Sequence, residues 1–153
     1  MTESTRVLFV CLGNICRSPL AEAIFIHMIN ERGIANRFIV DSCGTGGWHE
    51  GNPADPRSIQ VGVKNGIRVE SIARQFRDTD IEGHDLLLAM DRSNENNLIR
   101  LGVDPGIIRR MRSFDPATPD GPDVPDPYYG GDDGFDKVYE MLVRSCSGLI
   151  DSF

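Results

Sequence analysis

The sequence predicts one α/β domain over residues 1–153: a four-stranded parallel sheet with helices on both faces and an anion-binding loop directly after the first strand. Three observations carry this. Apolar runs of strand length alternate with segments of helical periodicity along the whole chain, the pattern of a parallel sheet. The run Leu86-Leu87-Leu88-Ala89-Met90 is continuously apolar, as a central strand covered on both faces must be. And the stretch from Val7 to Pro19 joins an apolar strand to a helix through a short loop of residues that curl easily.

The first strand spans residues 7–10, Val-Leu-Phe-Val, β-branched and aromatic. Gly13 and Asn14 tolerate positive φ and allow a sharp turn. Ser18 suits an N-cap and Pro19 the first helical position, so a helix is expected over residues 20–32, with Gly33 as its stop. A second strand is expected at 38–40, ending at Asp41-Ser42, then a Gly-rich loop over 43–53 carrying Trp48 and His49. Asp55-Pro56 opens a second helix to about 65–66. The strand at 86–90 follows, then a helix over 91–101 that Gly102 ends, then a fourth strand over 107–114. Residues 115–134, rich in Pro, Asp and Gly, form a long loop of the kind that often carries function. Apolar residues at 135, 138, 142, 146 and 149 space the last helix.

The loop after the first strand has the makings of a phosphate-binding loop. Its N–H groups can point inward as a nest, and the helix N-terminus adds positive potential. Cys11 ends the strand at the rim of that nest, and Arg17 closes it with a planar fork suited to phosphate oxygens. A thiol facing amide dipoles and a guanidinium favours the thiolate, which beside a bound tetrahedral dianion is a nucleophile aimed at phosphorus. A buried structural Cys beside a tight turn, with a surface Arg, is the plain alternative. Ester cleavage also needs a proton for the leaving oxygen, and the long loop offers Asp115, Asp120, Asp123, Asp126, Asp132 and Asp133, among which spacing does not choose.

The segment Cys11-Leu12-Gly13-Asn14-Ile15-Cys16-Arg17-Ser18 resembles the signature of the low-molecular-weight family of protein tyrosine phosphatases, and Asp126-Pro127-Tyr128-Tyr129 resembles that family's acid loop. Similarity runs on through Asp41-Ser42, residues 49–55, Ala73-Arg74-Gln75 and Met90-Asp91, so it covers nearly the whole chain. The resemblance implies hydrolysis of phosphotyrosine monoesters in proteins through a phosphocysteine on Cys11, with inorganic phosphate as product and no cofactor or metal. Arg17 and the amides of Leu12, Gly13, Asn14, Ile15 and Cys16 would bind the phosphoryl group. Asp126 would be general acid and then base. Asn14 and Ser18 would hold the loop and hydrogen-bond the thiolate, and Trp48 and Tyr128 would wall a slot for a phenyl ring; core packing is their alternative. The resemblance also raises a second use for Cys16, otherwise a small packed residue: trapping oxidised Cys11 as a disulfide. One departure stands out. Eukaryotic members commonly have His in contact with the loop Asn where this chain has Ser71, whose hydroxyl is also able to hydrogen-bond Asn14 but which leaves the rigidity of the loop open.

Composition bounds the rest. The net charge of −7 argues against nucleic acid or an anionic membrane as partner, so phosphate affinity must be local. No apolar run approaches membrane-spanning length, and no secretory leader is evident. Four cysteines at 11, 16, 43 and 146 form neither a zinc pattern nor a disulfide frame, which points to a cytoplasmic protein with reduced thiols. His27, His49 and His84 lack metal-ligand spacing, and His27, within an apolar helix, reads as structural. Arsenate reduction on the same fold needs relay cysteines that residues 44–145 lack. A phosphocysteine carrier has no use for Arg17 plus Asp126, and a binding module no need of the thiol.

Overall fold

The computed structural model describes residues 4–117, 123–128, 130–131 and 133–153. Four strands, β1 (Thr5–Cys11), β2 (Phe38–Gly44), β3 (Leu86–Ala89) and β4 (Ile108–Arg110), form one parallel sheet in the order β2-β1-β3-β4. Four α-helices connect and close it: α1 (Arg17–Glu31), α2 (Pro56–Lys64), α3 (Arg92–Arg100) and α4 (Gly134–Asp151).

β1 lies inside the sheet, and its side chains alternate between two cores. Val7, Phe9 and Cys11 face the larger one, packed with residues of α1, α2 and α4, while Leu8 and Val10 face the smaller one with Leu98 of α3. Residues 7–10 are wholly inaccessible. This burial on both faces is what an uninterrupted apolar run buys. It also fixes register, since a slip by one residue would move Cys11 to the other face. Gly33 and Gly102 end their helices at φ +69° and +103°, and Asp55 and Asp91 cap α2 and α3 through Arg57 N and Asn94 N.

Three of the boundaries that differ from expectation have a clear physical cause. The first helix begins at Arg17, so Ser18 is no cap; the backbone at Cys16 is the cap, without a side-chain bond. Pro19 still fits, because N–H groups of the first turn have no helical partner to lose. β2 continues past the polar pair Asp41-Ser42 to Gly44, since β1 offers partners as far as Cys11. β4 is short for the converse reason: its neighbour β3 ends at Ala89, opposite Arg110. Beyond Arg110 the chain curls into a 3-10 turn, Met111–Phe114, which buries Met111 completely.

Candidate active site

The site grows from the end of β1. Cys11 Sγ is buried, 2.9 Å from Ser18 Oγ, and receives the Asn14 N–H at 3.3 Å. Ser18 is therefore drawn into the loop rather than to a helix cap. Asn14 is the one non-glycine among the described residues with positive φ, 58°. Its amide Nδ2 donates to Ser18 Oγ (2.7 Å) and Ser42 Oγ (3.0 Å), and its Oδ1 accepts from Arg74 N (3.0 Å). A left-handed backbone costs roughly 1–2 kcal/mol, less for Asn. Three buried hydrogen bonds at about 1 kcal/mol each outweigh it. Gly13 does not use positive φ; its need is room, since a Cβ there would meet His49 Cδ2 at 3.0 Å.

Four of the loop carbonyls are tied to backbone or side chains outside the loop. Those of Cys11 and Leu12 accept from Thr45 N and Gly46 N, that of Ile15 from Asp55 N, and that of Cys16 from Ser58 Oγ. A loop held this way turns its N–H edge to the cavity. Gly44 makes the approach possible, because a Cβ there would lie 2.7 Å from Leu12 O and 3.1 Å from Asn14 N.

Arg17, in the first turn of α1, is almost inaccessible. Its Nη1 donates to Asp91 Oδ2 at 2.7 Å and to Val124 O at 3.0 Å, and Nη2 lies 3.6 Å from Asp126 Oδ2. Burial works against its charge, but the adjoining Cys11 charge and the bond to Asp91 hold its pKa above the ordinary arginine value. Asp91 thus does two jobs, aiming the guanidinium with one oxygen and capping α3 with the other.

Asp126 sits at the mouth, its side chain 40% exposed, with Oδ1 accepting from Tyr128 N at 3.1 Å. The turn and the cavity position coexist. Other loop acids are committed elsewhere: Asp115 is buried between Arg112 and Arg144, Asp123 accepts from Arg92 N, and Asp133 pairs with Lys137. Asp120, Asp132 and Tyr129 lie outside the described residues.

Together these residues enclose a cavity of about 440 Å³. Cys11, Arg17 and the loop form its floor, Asp126 its rim, and Trp48 and Tyr128 its walls, with His49 beside them. Trp48 is 71% exposed, so it is no core residue. Tyr128 is half-exposed and backed by the Arg57 guanidinium, 5.4 Å from the ring centroid. Cys16 also lines the cavity, and burial, then the charges of Asp55, Cys11 and Asp126, push its thiol up to about 12.

Sequence reading assigned no role to several residues that support the loop. Arg74 clamps Asp41 and Asp80 behind the loop, and those bonds, overcoming burial, bring Asp80 down to about 2. Ser71 does not bond Asn14: its hydroxyl is buried without a hydrogen-bond partner among the described residues, and Ser42 with the Arg74 amide holds Asn14 instead. His27 is not a core residue but pairs with Glu31 at the surface. Among the described residues, no three His, Cys, Asp or Glu side chains converge as metal ligands, and no helix is long and apolar enough to cross a membrane.

Comparison with known proteins places this geometry. The family described as low molecular weight phosphotyrosine protein phosphatase matches residues 6–153. A low molecular weight protein-tyrosine-phosphatase of Streptomyces coelicolor is 46% identical over 149 residues, covering 95% of this chain and 91% of that protein. A crystal structure of a protein tyrosine phosphatase from Entamoeba histolytica, with Hepes in its active site, superimposes with a TM-score of 0.92 at 40% identity, covering 97% of this chain and 96% of the other. DARP, a drosophila arginine phosphatase, superimposes with a TM-score of 0.87 at 30% identity over 95% of this chain and 96% of its own.

Proposed function

The chain belongs to the low-molecular-weight phosphotyrosine protein phosphatase family, and from that premise we propose that Cys11, Arg17 and Asp126 carry its hydrolytic chemistry. The phosphoryl group of a phosphotyrosine side chain sits in the loop, its equatorial oxygens gripped by Arg17 and the amides of Leu12, Gly13, Asn14, Ile15 and Cys16. The Cys11 thiolate attacks in line. As the S–P bond forms and the P–O bond to the ring breaks, the Asp126 carboxyl gives its proton to the phenolic oxygen. A water then attacks phosphocysteine, Asp126 takes up its proton, and inorganic phosphate leaves as the thiolate returns. Ser18, 2.9 Å from Sγ, stabilises that leaving thiolate.

The observation that carries this reading is one cavity in which a buried Cys11 Sγ, the Arg17 fork and an exposed-edge carboxylate meet. Trp48 and Tyr128 favour an aryl ester, since a flat ring between two aromatic faces gains contact that a short seryl ester cannot reach. Phosphoarginine is the competing substrate, because one structural relative bears that activity in its name. The protein substrates are read as cytoplasmic phosphoproteins, in keeping with four unpaired thiols; nucleic acid and membrane are no part of this reading.

The test is hydrolysis of phosphotyrosine and phosphoarginine peptides in the presence of a metal chelator, by wild type and Cys11→Ser. Turnover of phosphotyrosine by wild type, with essentially none by Cys11→Ser but retained peptide binding, is expected. Residual Cys11→Ser turnover within about tenfold of wild type, or preference for phosphoarginine, would overturn the reading.

A further inference from the structure

A second groove opens beside the active-site cavity. It has a volume of about 440 Å³ and shares Ile15, His49 and Tyr128 with that cavity. Much of the remaining apolar wall comes from Pro53, Pro56 and Ile59, at the entry and first turns of α2. The surface is apolar, and its one carboxylate is occupied: Asp55, nearly buried, accepts from Arg57 N at 2.9 Å and pairs with the Arg57 guanidinium at 3.0 Å. Ile59 is anchored on the main core, so the floor is fixed before anything binds.

Building on the phosphotyrosine reading, we propose that this groove seats an apolar side chain neighbouring the phosphotyrosine of a protein substrate. Tyr128 is the shared wall. A phosphotyrosine ring on its cavity side leaves the peptide backbone at the rim, with consecutive Cα atoms ~3.8 Å apart, so an adjacent residue reaches the other side of the same wall. The occupant's chemistry follows from the lining. Aliphatic carbon against Ile15, Pro56 and Ile59 gains by leaving water, whereas a carboxylate would give up hydration against apolar carbon, with the Arg57 guanidinium nearby already paired with Asp55. The chain's net charge of −7 adds a further bias against acidic neighbours. The exposed amides of Asn52 and Gln60 border the groove and suit the polar backbone of a passing peptide.

The test uses phosphotyrosine peptides carrying Leu, Gly or Asp immediately before or after the phosphotyrosine, together with free phosphotyrosine. Wild type should favour Leu over Gly at one of those positions by roughly 5–20-fold in kcat/KM, the low range for an apolar group in a partly open pocket, with Asp below Gly. Ile59→Ala and Pro56→Ala should each cut that advantage to about twofold while leaving kcat/KM on free phosphotyrosine unchanged. Pro56 is exposed, so its variant does not depend on core packing. Equal rates for Leu and Gly peptides, or a Leu advantage that survives both variants, would overturn the groove assignment and leave the phosphotyrosine reading standing. Failure to hydrolyse free phosphotyrosine would overturn that reading and the groove with it.

Discussion

Replacing Asp91 separates the aiming of Arg17 from the chemistry at Cys11. One Asp91 oxygen accepts the Arg17 Nη1 proton at 2.7 Å and the other caps α3 by accepting Asn94 N at 2.8 Å. Asp91→Asn retains a good cap but presents an amide dipole where the guanidinium expects charge; Asp91→Ala loses both contacts. A cap contributes about 1 kcal/mol. A hydrogen bond to a charged group contributes about 1.5–3 kcal/mol, and the upper part of that range applies because the Arg17 side chain is only 3% exposed, so little water reaches it. Asp91→Asn should thus lose about 2–3 kcal/mol and Asp91→Ala about 3–4 kcal/mol. For a chain of this size each kcal/mol lowers Tm by about 2–4 °C, so the variants should melt about 4–12 °C and 6–16 °C lower. The Val124 carbonyl still holds Nη1, so the fork is loosened rather than freed, and kcat/KM on an aryl phosphate should fall roughly 10–100-fold. Thermal unfolding and steady-state kinetics on the same preparations check this. Asp91→Asn with unchanged kcat/KM would show that Asp91 does not aim the guanidinium and would refute the argument.

Further outcomes follow from the same geometry. Asp126→Asn should lower kcat/KM on phosphotyrosine by about 10²–10⁴-fold, and less on an activated nitrophenyl ester whose leaving group needs no proton; Asp123→Asn, with its carboxylate turned to Arg92 N, should show neither loss, and a reversal of the two would reassign the acid. Peroxide should inactivate wild type reversibly through a Cys11–Cys16 disulfide, and Cys16→Ser should recover less activity on adding dithiol; equal recovery would rule out protection by Cys16. Glu22, half-buried, is raised from 4.5 to about 7 by burial, despite the Ser42 hydrogen bond. The folded protein therefore holds that proton more tightly than the unfolded chain, and stability is lost as pH rises from about 4.5 through about 7, by up to about 3 kcal/mol. Urea midpoints at pH 5 and pH 8 should show that loss in wild type and not in Glu22→Gln; parallel shifts in both proteins would exclude Glu22 as its source.

The part of the site carried by local sequence was legible without coordinates. Val7 to Val10 declare a doubly buried strand through unbroken hydrophobicity, and a buried strand can hold only one register. Cys11 at its end and Arg17 at the start of the next helix follow from that placement. The cap assigned to Ser18 failed because its hydroxyl had a rival partner, and the tertiary contact with Cys11 and Asn14 won. The extents of β2 and β4 failed for a related reason: an edge strand runs as long as its neighbour offers hydrogen bonds, a quantity absent from its own residues. What closes the site was beyond reach of local reading. Arg17 meets Asp91 across 74 residues and Val124 across 107, and Asn14 meets the Arg74 amide across 60. No periodicity or spacing encodes such pairs, because they exist only once a parallel sheet brings the carboxyl ends of its strands to one edge. The sequence by itself placed Cys11 and Arg17 at the two ends of the loop after β1 and determined the scaffold that presents them. Tertiary structure alone decided which carboxylate aims the guanidinium and what holds Asn14 in its left-handed turn, since a buried polar group takes whichever partner the packed chain places within hydrogen-bond reach.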